Sequence, residues 1–264
     1  MHRAKSKPQQ ILSILMALCA VMALFCALIL IAGSREAFKG DTFCRQVRQL
    51  RTSSPPTTPP PRSIESPVEA THAAAADSVD FLALASINPD VVGWLSSPNT
   101  EIDYPVVLGT DNDYYLTHLF TGERNKLGSI FLDYRSRGDF SDRNTVIHGH
   151  NMIDGSMFSS LTNYKEQDYY DRCPYMLLDT PDGNYRIELF ARTILDGNQE
   201  SIRFHFKDGR DFQDYVDSLK AASSFMSDTT ISASDRIVTL CTCSYEFKNA
   251  RYALFGKLTP VSSR

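Results

Sequence analysis

The sequence predicts a mostly β domain, a barrel or sandwich, set behind an N-terminal transmembrane helix. Three observations carry that prediction. Short segments with strand composition follow one another between residues 102 and 258, separated by turn residues. Only one long stretch among them, Phe212 to Phe225, repeats its apolar residues at spacings of three and four, as a helix does. Ahead of them all, 22 consecutive residues from Ile11 to Ala32 carry no charge.

Residues 1–10 read as a basic tail, with Arg3, Lys5 and Lys7. At about 1.5 Å per residue the following 22 residues reach roughly 33 Å, which spans a bilayer. A cleaved secretory signal has a shorter apolar region and a small-residue cleavage site, and none is evident around Leu30 to Ser34. The expectation is therefore an uncleaved signal anchor over 11–32. Its orientation is not fixed by charge, because Arg35, Lys39, Arg45, Arg48 and Arg51 follow the span and blur the positive-inside signal. Residues 33–76 form a juxtamembrane segment and spacer. Within it, Thr52 to Pro67 is rich in Pro, Ser and Thr and buries almost nothing, so it should be extended.

Residues 77–264 remain for one folded domain, and a 264-residue chain with 42% hydrophobic residues has the apolar surface for its core. Helical signals open it: Phe81, Leu82, Leu84 and Ala85 before Asn88-Pro89, then Val91, Val92, Trp94 and Leu95. Strands are expected at Ile102 to Val107, Ser129 to Asp133, Thr145 to His148, Tyr175 to Asp179, Tyr185 to Ile194, Arg236 to Cys243 and Tyr252 to Leu258. Thr180-Pro181-Asp182-Gly183 is a turn sequence that makes a hairpin of the fourth and fifth. The long helix before the Arg236 strand can be capped by Asp208 or by Asp211. A net charge of −4 supplies no basic field for nucleic acid, and neither an internal repeat nor a phosphate-binding glycine loop is found.

The chemistry concentrates in two short stretches. Asn144 to Met152 (NTVIHGHNM) is an apolar strand running into Gly149 and His150, which delivers an imidazole at a strand end. Thr239 to Cys243 (TLCTC) is a second strand whose last residue is Cys243, and Arg251 stands eight positions on, along the returning strand. Of the six cysteines, Cys19 and Cys26 lie in the span and Cys44 beyond it. Cys173, Cys241 and Cys243 cannot all pair with one another, and on one strand i and i+2 side chains run parallel, so at least one thiol is free. A thiol, an imidazole and a guanidinium suffice for acyl transfer: the thiolate attacks a carbonyl, the imidazolium protonates the leaving amine, and the fixed fork of an arginine stabilises the oxyanion. Taken singly, each residue has a bland reading, as a small buried hydrophobe, a structural histidine or a surface ion pair. A zinc site is the sharper rival, because His148 with His150 and Cys241 with Cys243 each put two ligands on one strand face. The acyl-transfer reading requires neither metal nor cofactor.

These same residues carry a resemblance. TLCTC is similar to the TLxTC signature around the sortase nucleophile, GHNM resembles the segment with the sortase histidine, and Arg251 matches the family's arginine. INPDVVGWL, IDYPVV, DNDYYL, GSIFLDYR and CSYEFKNARYALFGKL extend the likeness over roughly 180 residues, to class B sortases in particular. The resemblance implies a closed eight-stranded β barrel with N-terminal helices and one long helix before the cysteine strand. It also implies a cysteine transpeptidase with Cys243, His150 and Arg251 as catalytic residues. Thr242 is expected to help position substrate. His148, where the family often has an aromatic residue, and Cys241, in the variable slot of the signature, are expected to alter substrate contacts.

The implied partners are secreted proteins with an LPXTG- or NPQTN-like C-terminal motif and an amine of peptidoglycan or its lipid-linked precursor. The implied location is the Gram-positive cell membrane, with the catalytic domain outside and residues 1–10 as a cytoplasmic tail. A thiol hydrolase that passes the acyl group to water is the alternative within the same chemistry.

Overall fold

The computed structural model describes residues 16, 18–28, 48, 79–197 and 202–261. The chain divides into two units, Met1–Phe43 and Cys44–Arg264. In the first, residues 18–28 are helical and exposed. Among the described residues no helix is long and apolar enough to cross a membrane. The rest of the 11–32 span, the 1–10 tail and, apart from Arg48, the 33–76 segment lie outside the described residues.

Strand pairing organises the second unit. Its strands are β1 (Val91–Ser96), β2 (Asp103–Val107), β3 (Ile130–Leu132), β4 (Asn144–His148), β5 (Tyr175–Thr180), β6 (Gly183–Asp196), β7 (Arg236–Cys243) and β8 (Ala250–Val261). They form a closed barrel in the order β1-β2-β3-β4-β7-β8-β6-β5, with β5 pairing back to β1. Closure leaves no unpaired sheet edge. Only β2 with β3 and β4 with β7 run parallel. The second of these parallel pairs matters most, because it lays the end of the histidine strand along the end of the cysteine strand.

The seven expected strands are present, shifted by at most a few residues at their ends, and the Pro181-Asp182 hairpin forms with Thr180 opposite Gly183. The Thr180 hydroxyl closes that turn by donating to the Gly183 carbonyl at 2.7 Å. One expectation is overturned. Helix α1 (Phe81–Ile87) forms, capped by Asp80, whose carboxylate accepts from the Ala83 amide at 2.9 Å. The second expected helical segment, Val91 to Leu95, is instead β1. The Val91-Val92 pair and Trp94 suit a pleated surface, and with β2 on one side and β5 on the other the run is buried almost throughout.

Helix α2 (Gln167–Arg172) and two 3-10 turns, Tyr114–Leu116 and Ser159–Lys165, were not signalled by any periodicity. The long helix, α3 (Gly209–Ala222), is capped by Asp208, which accepts from the Arg210 and Asp211 amides at 2.9 Å. Asp211 turns away to pair with Arg203. The helix stops three residues short of Phe225, whose ring stacks on Tyr170 at 4.3 Å. Phe212, Tyr215, Val216 and Leu219 of α3 pack on Phe190, Ile237 and Phe255 from β6, β7 and β8. Each such buried side chain contributes about 1.5–3 kcal/mol. Covered by α3 and packed from the other side as well, β7 is buried from Ile237 to Thr242 and ends at the half-buried Cys243.

Candidate active site

Register brings the distant residues together. In the antiparallel β7–β8 ladder Cys243 lies directly opposite Arg251. Opposed residues of such a ladder point to one face with their Cβ atoms about 5 Å apart. In the parallel β4–β7 ladder His148 is level with Cys241, so the chain after β4 runs on beside the end of β7. Three hydrogen bonds hold it there. The Gly149 amide donates to the Cys241 carbonyl at 3.2 Å, the Thr242 hydroxyl donates to the Gly149 carbonyl at 2.7 Å, and Asn151 Nδ2 donates to the Cys243 carbonyl at 3.0 Å. His150, bracketed by Gly149 and Asn151, is thereby fixed alongside residues 241–243. Cys243, His150 and Arg251 are all half-buried, which leaves each reachable from solvent.

The imidazole is oriented by main chain. His150 Nε2 lies 2.7 Å from the Leu116 carbonyl. That oxygen only accepts, so Nε2 carries the proton, and the neutral ring presents an unprotonated Nδ1. Gly128 backs this arrangement at φ +63°: a Cβ there would stand 2.8 Å from the Leu116 oxygen and 3.0 Å from His150 Cδ2. Gly149 is equally constrained, since a Cβ would meet Ile130 at 2.5 Å and Phe158 at 2.7 Å. Arg251 donates from Nη1 to the carbonyl of Ala250 at 3.2 Å.

The three residues expected to contact substrate have different situations. Thr242 is only 2% exposed, and its hydroxyl is spent on Gly149, so it positions the histidine segment. Cys241 is buried too, and burial pushes its thiol up to about 12, against a smaller opposite pull from Arg251. His148 keeps some exposure, and its Nε2 lies 3.1 Å from Asp133 Oδ2. Asp133 itself is 1% exposed and also accepts two bonds from the Arg135 guanidinium, at 2.8 and 3.0 Å, and one from Asn112 Nδ2 at 2.9 Å. Burial alone would raise this carboxyl; the bonds from His148 and Arg135 outweigh it and hold the group well below the usual carboxylate range.

This disperses the ligands that the zinc reading needs. His148 faces Asp133, His150 faces Leu116, and Cys241 is sealed in the core. Among the described residues no group of three or more His, Cys, Asp or Glu is arranged to hold a metal. Cys173, Cys241 and Cys243 are all free thiols.

Sequence reading missed the supports: Leu116, Gly128, Asn151, and Asp133 with Arg135 and Asn112. Leu116 acts through a main-chain atom, which leaves no trace in residue type. Asn151 had a signal, as a polar residue directly after His150 in GHNM, and so did Asp133 and Arg135 within GSIFLDYR.

No protein-family model matches the chain. It is 41% identical over 177 residues to sortase B of Listeria monocytogenes, across 66% of this chain and 72% of that one. Against sortase B of Staphylococcus aureus it is 33% identical over 184 residues, across 69% and 75% of the two chains. The crystal structure of the Staphylococcus aureus enzyme superposes with a TM-score of 0.65, covering 69% of this chain and 87% of that one at 33% identity. Clostridium perfringens sortase B gives 0.64, with 68% and 99% covered, also at 33% identity. The Staphylococcus aureus enzyme has also been solved in complex with substrate, and a sortase B in complex with triglycine. With the same closed barrel and this level of identity over two thirds of its length, the chain belongs to the sortase B family of cysteine transpeptidases.

Proposed function

We propose that the chain is a membrane-anchored transpeptidase in which Cys243 cleaves the sorting motif of a secreted protein and passes its new C-terminus to a cell-wall amine. The observation that carries this reading is the double register of β7: Arg251 opposite Cys243 on one side, and the His150 segment bonded to residues 241–243 on the other. The Cys243 thiol passes its proton to His150 Nδ1, the resulting thiolate attacks the scissile carbonyl carbon, and Arg251 stabilises the oxyanion that develops. As the C–N bond breaks, His150 Nδ1 gives that proton to the leaving amine, and a thioester remains. The acceptor amine then attacks that thioester, the C–S bond breaks, and His150 takes up the amine's proton.

A substrate complex and a triglycine complex of sortase B support a peptide donor and an amine acceptor for this chain. An LPXTG- or NPQTN-like motif is the donor this reading favours. Peptidoglycan or its lipid-linked precursor is the acceptor. The uncharged run Ile11 to Ala32 supports anchoring, with the N-terminus inside and the catalytic unit outside the membrane. Protease added to intact protoplasts is then expected to degrade the catalytic unit.

The decisive experiment is Cys243→Ala, assayed by mass spectrometry with a panel of motif peptides and amines. The expected result is loss of both the thioester adduct and peptide cleavage, with thermal melting unchanged. Cleavage that persists in this variant overturns the assignment. Adding amine to the wild-type enzyme separates the two chemistries, since only a transpeptidase converts hydrolysis into ligation.

A further inference from the structure

Arg48 takes no part in the chemistry and belongs to the stretch that the sequence reads as a juxtamembrane spacer, yet its side chain sits in a socket at the start of β2. Its Nε donates to the Asp103 carbonyl at 3.2 Å, and its Nη2 donates to the Glu101 carbonyl at 3.1 Å. The same Nε lies 3.5 Å from Asp103 Oδ2. That carboxylate is itself fixed, because its Oδ1 accepts from Trp94 Nε1 at 2.7 Å. The guanidinium carbon also stands over the Tyr104 ring, 5.3 Å from its centre. Two carbonyls, a carboxylate locked by an indole and the face of a phenol match the planar fork of an arginine.

Tyr104 carries this socket inward. It is 5% exposed, and its hydroxyl accepts from the Met157 amide at 3.2 Å. Met157 belongs to the loop 151–158 that follows the catalytic histidine, and it is paired across that loop with Asn151. Its φ is +55°, a left-handed conformation that a methionine keeps only where its surroundings hold it. Both ends of the loop touch the site: the Phe158 amide donates to the His150 carbonyl at 2.9 Å, and Asn151 Nδ2 donates to the Cys243 carbonyl at 3.0 Å. The Tyr104 hydroxyl therefore bears on the shape of the loop that fixes His150 beside Cys243.

We propose that Arg48 and Tyr104 are positioning residues, with Arg48 acting as a strap that holds Tyr104 against the 151–158 loop. Without the guanidinium over its ring, Tyr104 shifts, the Met157 amide loses its acceptor, and the loop relaxes from the conformation that places the imidazole. The inference rests on the transpeptidase reading and adds to it that a residue ahead of the catalytic domain is part of the working site.

The test uses the purified full-length chain with a sorting-motif peptide as donor. Arg48→Ala empties the socket, and Tyr104→Phe removes only the hydroxyl. Single-turnover thioester formation at saturating donor is expected to slow about fivefold or more in each variant, while the donor KM stays within about twofold of wild type. Because both residues act through one loop, the double variant is expected to be no more than about twofold slower than the slower single variant. Thermal melting gives the folded fraction by which each rate is normalised. A normalised rate at the wild-type level in either single variant overturns the strap, as does a change confined to KM. Single losses that multiply in the double variant overturn it too. A wild-type chain that forms no thioester at all overturns the transpeptidase reading instead, so the two failures are distinguishable.

Discussion

Gly128 shows how much of this site rests on atoms that no residue type announces. Its φ of +63° and the 2.8 Å that a Cβ would leave to the Leu116 oxygen mean that any side chain there displaces the carbonyl orienting His150. Gly128→Ala is therefore expected to lower kcat by about 10²-fold, since a shift on the order of 1 Å in a catalytic group costs that much. Steady-state kinetics beside thermal melting check it: kcat should fall far more than the variant's folded fraction does, and an unchanged kcat would detach His150 from this support. The sequence announced Cys243, His150 and Arg251 because each stands at or near a strand end within a recognisable motif. It was silent on Leu116, which acts through its backbone, and it did not reveal that Thr242 and Cys241 are buried. Strand alternation puts Thr242 and Cys241 on opposite faces, but it does not tell that both faces of β7 are covered here.

Among the elements, strand β7 was legible to the residue, Arg236 to Cys243, because a short run rich in β-branched and apolar residues between turn segments suits a buried strand. Strand β1 was not: apolar residues at 91, 92, 94 and 95 satisfy a helix and a buried strand alike, and only the partners β2 and β5, far off in sequence, decide between them. Helix α3 shows the same limit at its end, where Phe225 keeps the spacing but packs on Tyr170 after the helix has stopped. Its start is set locally by the Asp208 carboxylate, which satisfies two amides that would otherwise lack partners. Asp208→Ala should thus cost about 1 kcal/mol of stability. Because α3 packs on Ile237 of β7 and Phe255 of β8, six and four residues along from Cys243 and Arg251, that loss should appear in the denaturation midpoint and leave kcat near wild type. A wild-type midpoint would show that tertiary packing alone holds the helix start.

Across the whole molecule, the closed barrel places one buried charge where several distant segments meet. Asp133 follows β3, Asn112 comes from the connection before it, His148 ends β4, and all converge on one carboxylate with Arg135. The folded state holds this carboxyl below its unfolded value of about 3.9, so the native state binds fewer protons than the unfolded one. The stabilisation is then complete above that unfolded value and is lost as pH falls through the lower folded one. Thermal midpoints of the wild type should be level near neutrality and decline from about pH 4 downward. Asp133→Asn keeps the shape and removes the charge. It should cost about 2 kcal/mol at pH 7, and the gap to wild type should close as the solution is acidified. The same variant frees His148, which is level with Cys241 and two residues before His150, so its kcat should fall alongside its stability. An acid profile parallel to wild type would assign the acid sensitivity to other carboxylates and leave Asp133 a packing residue.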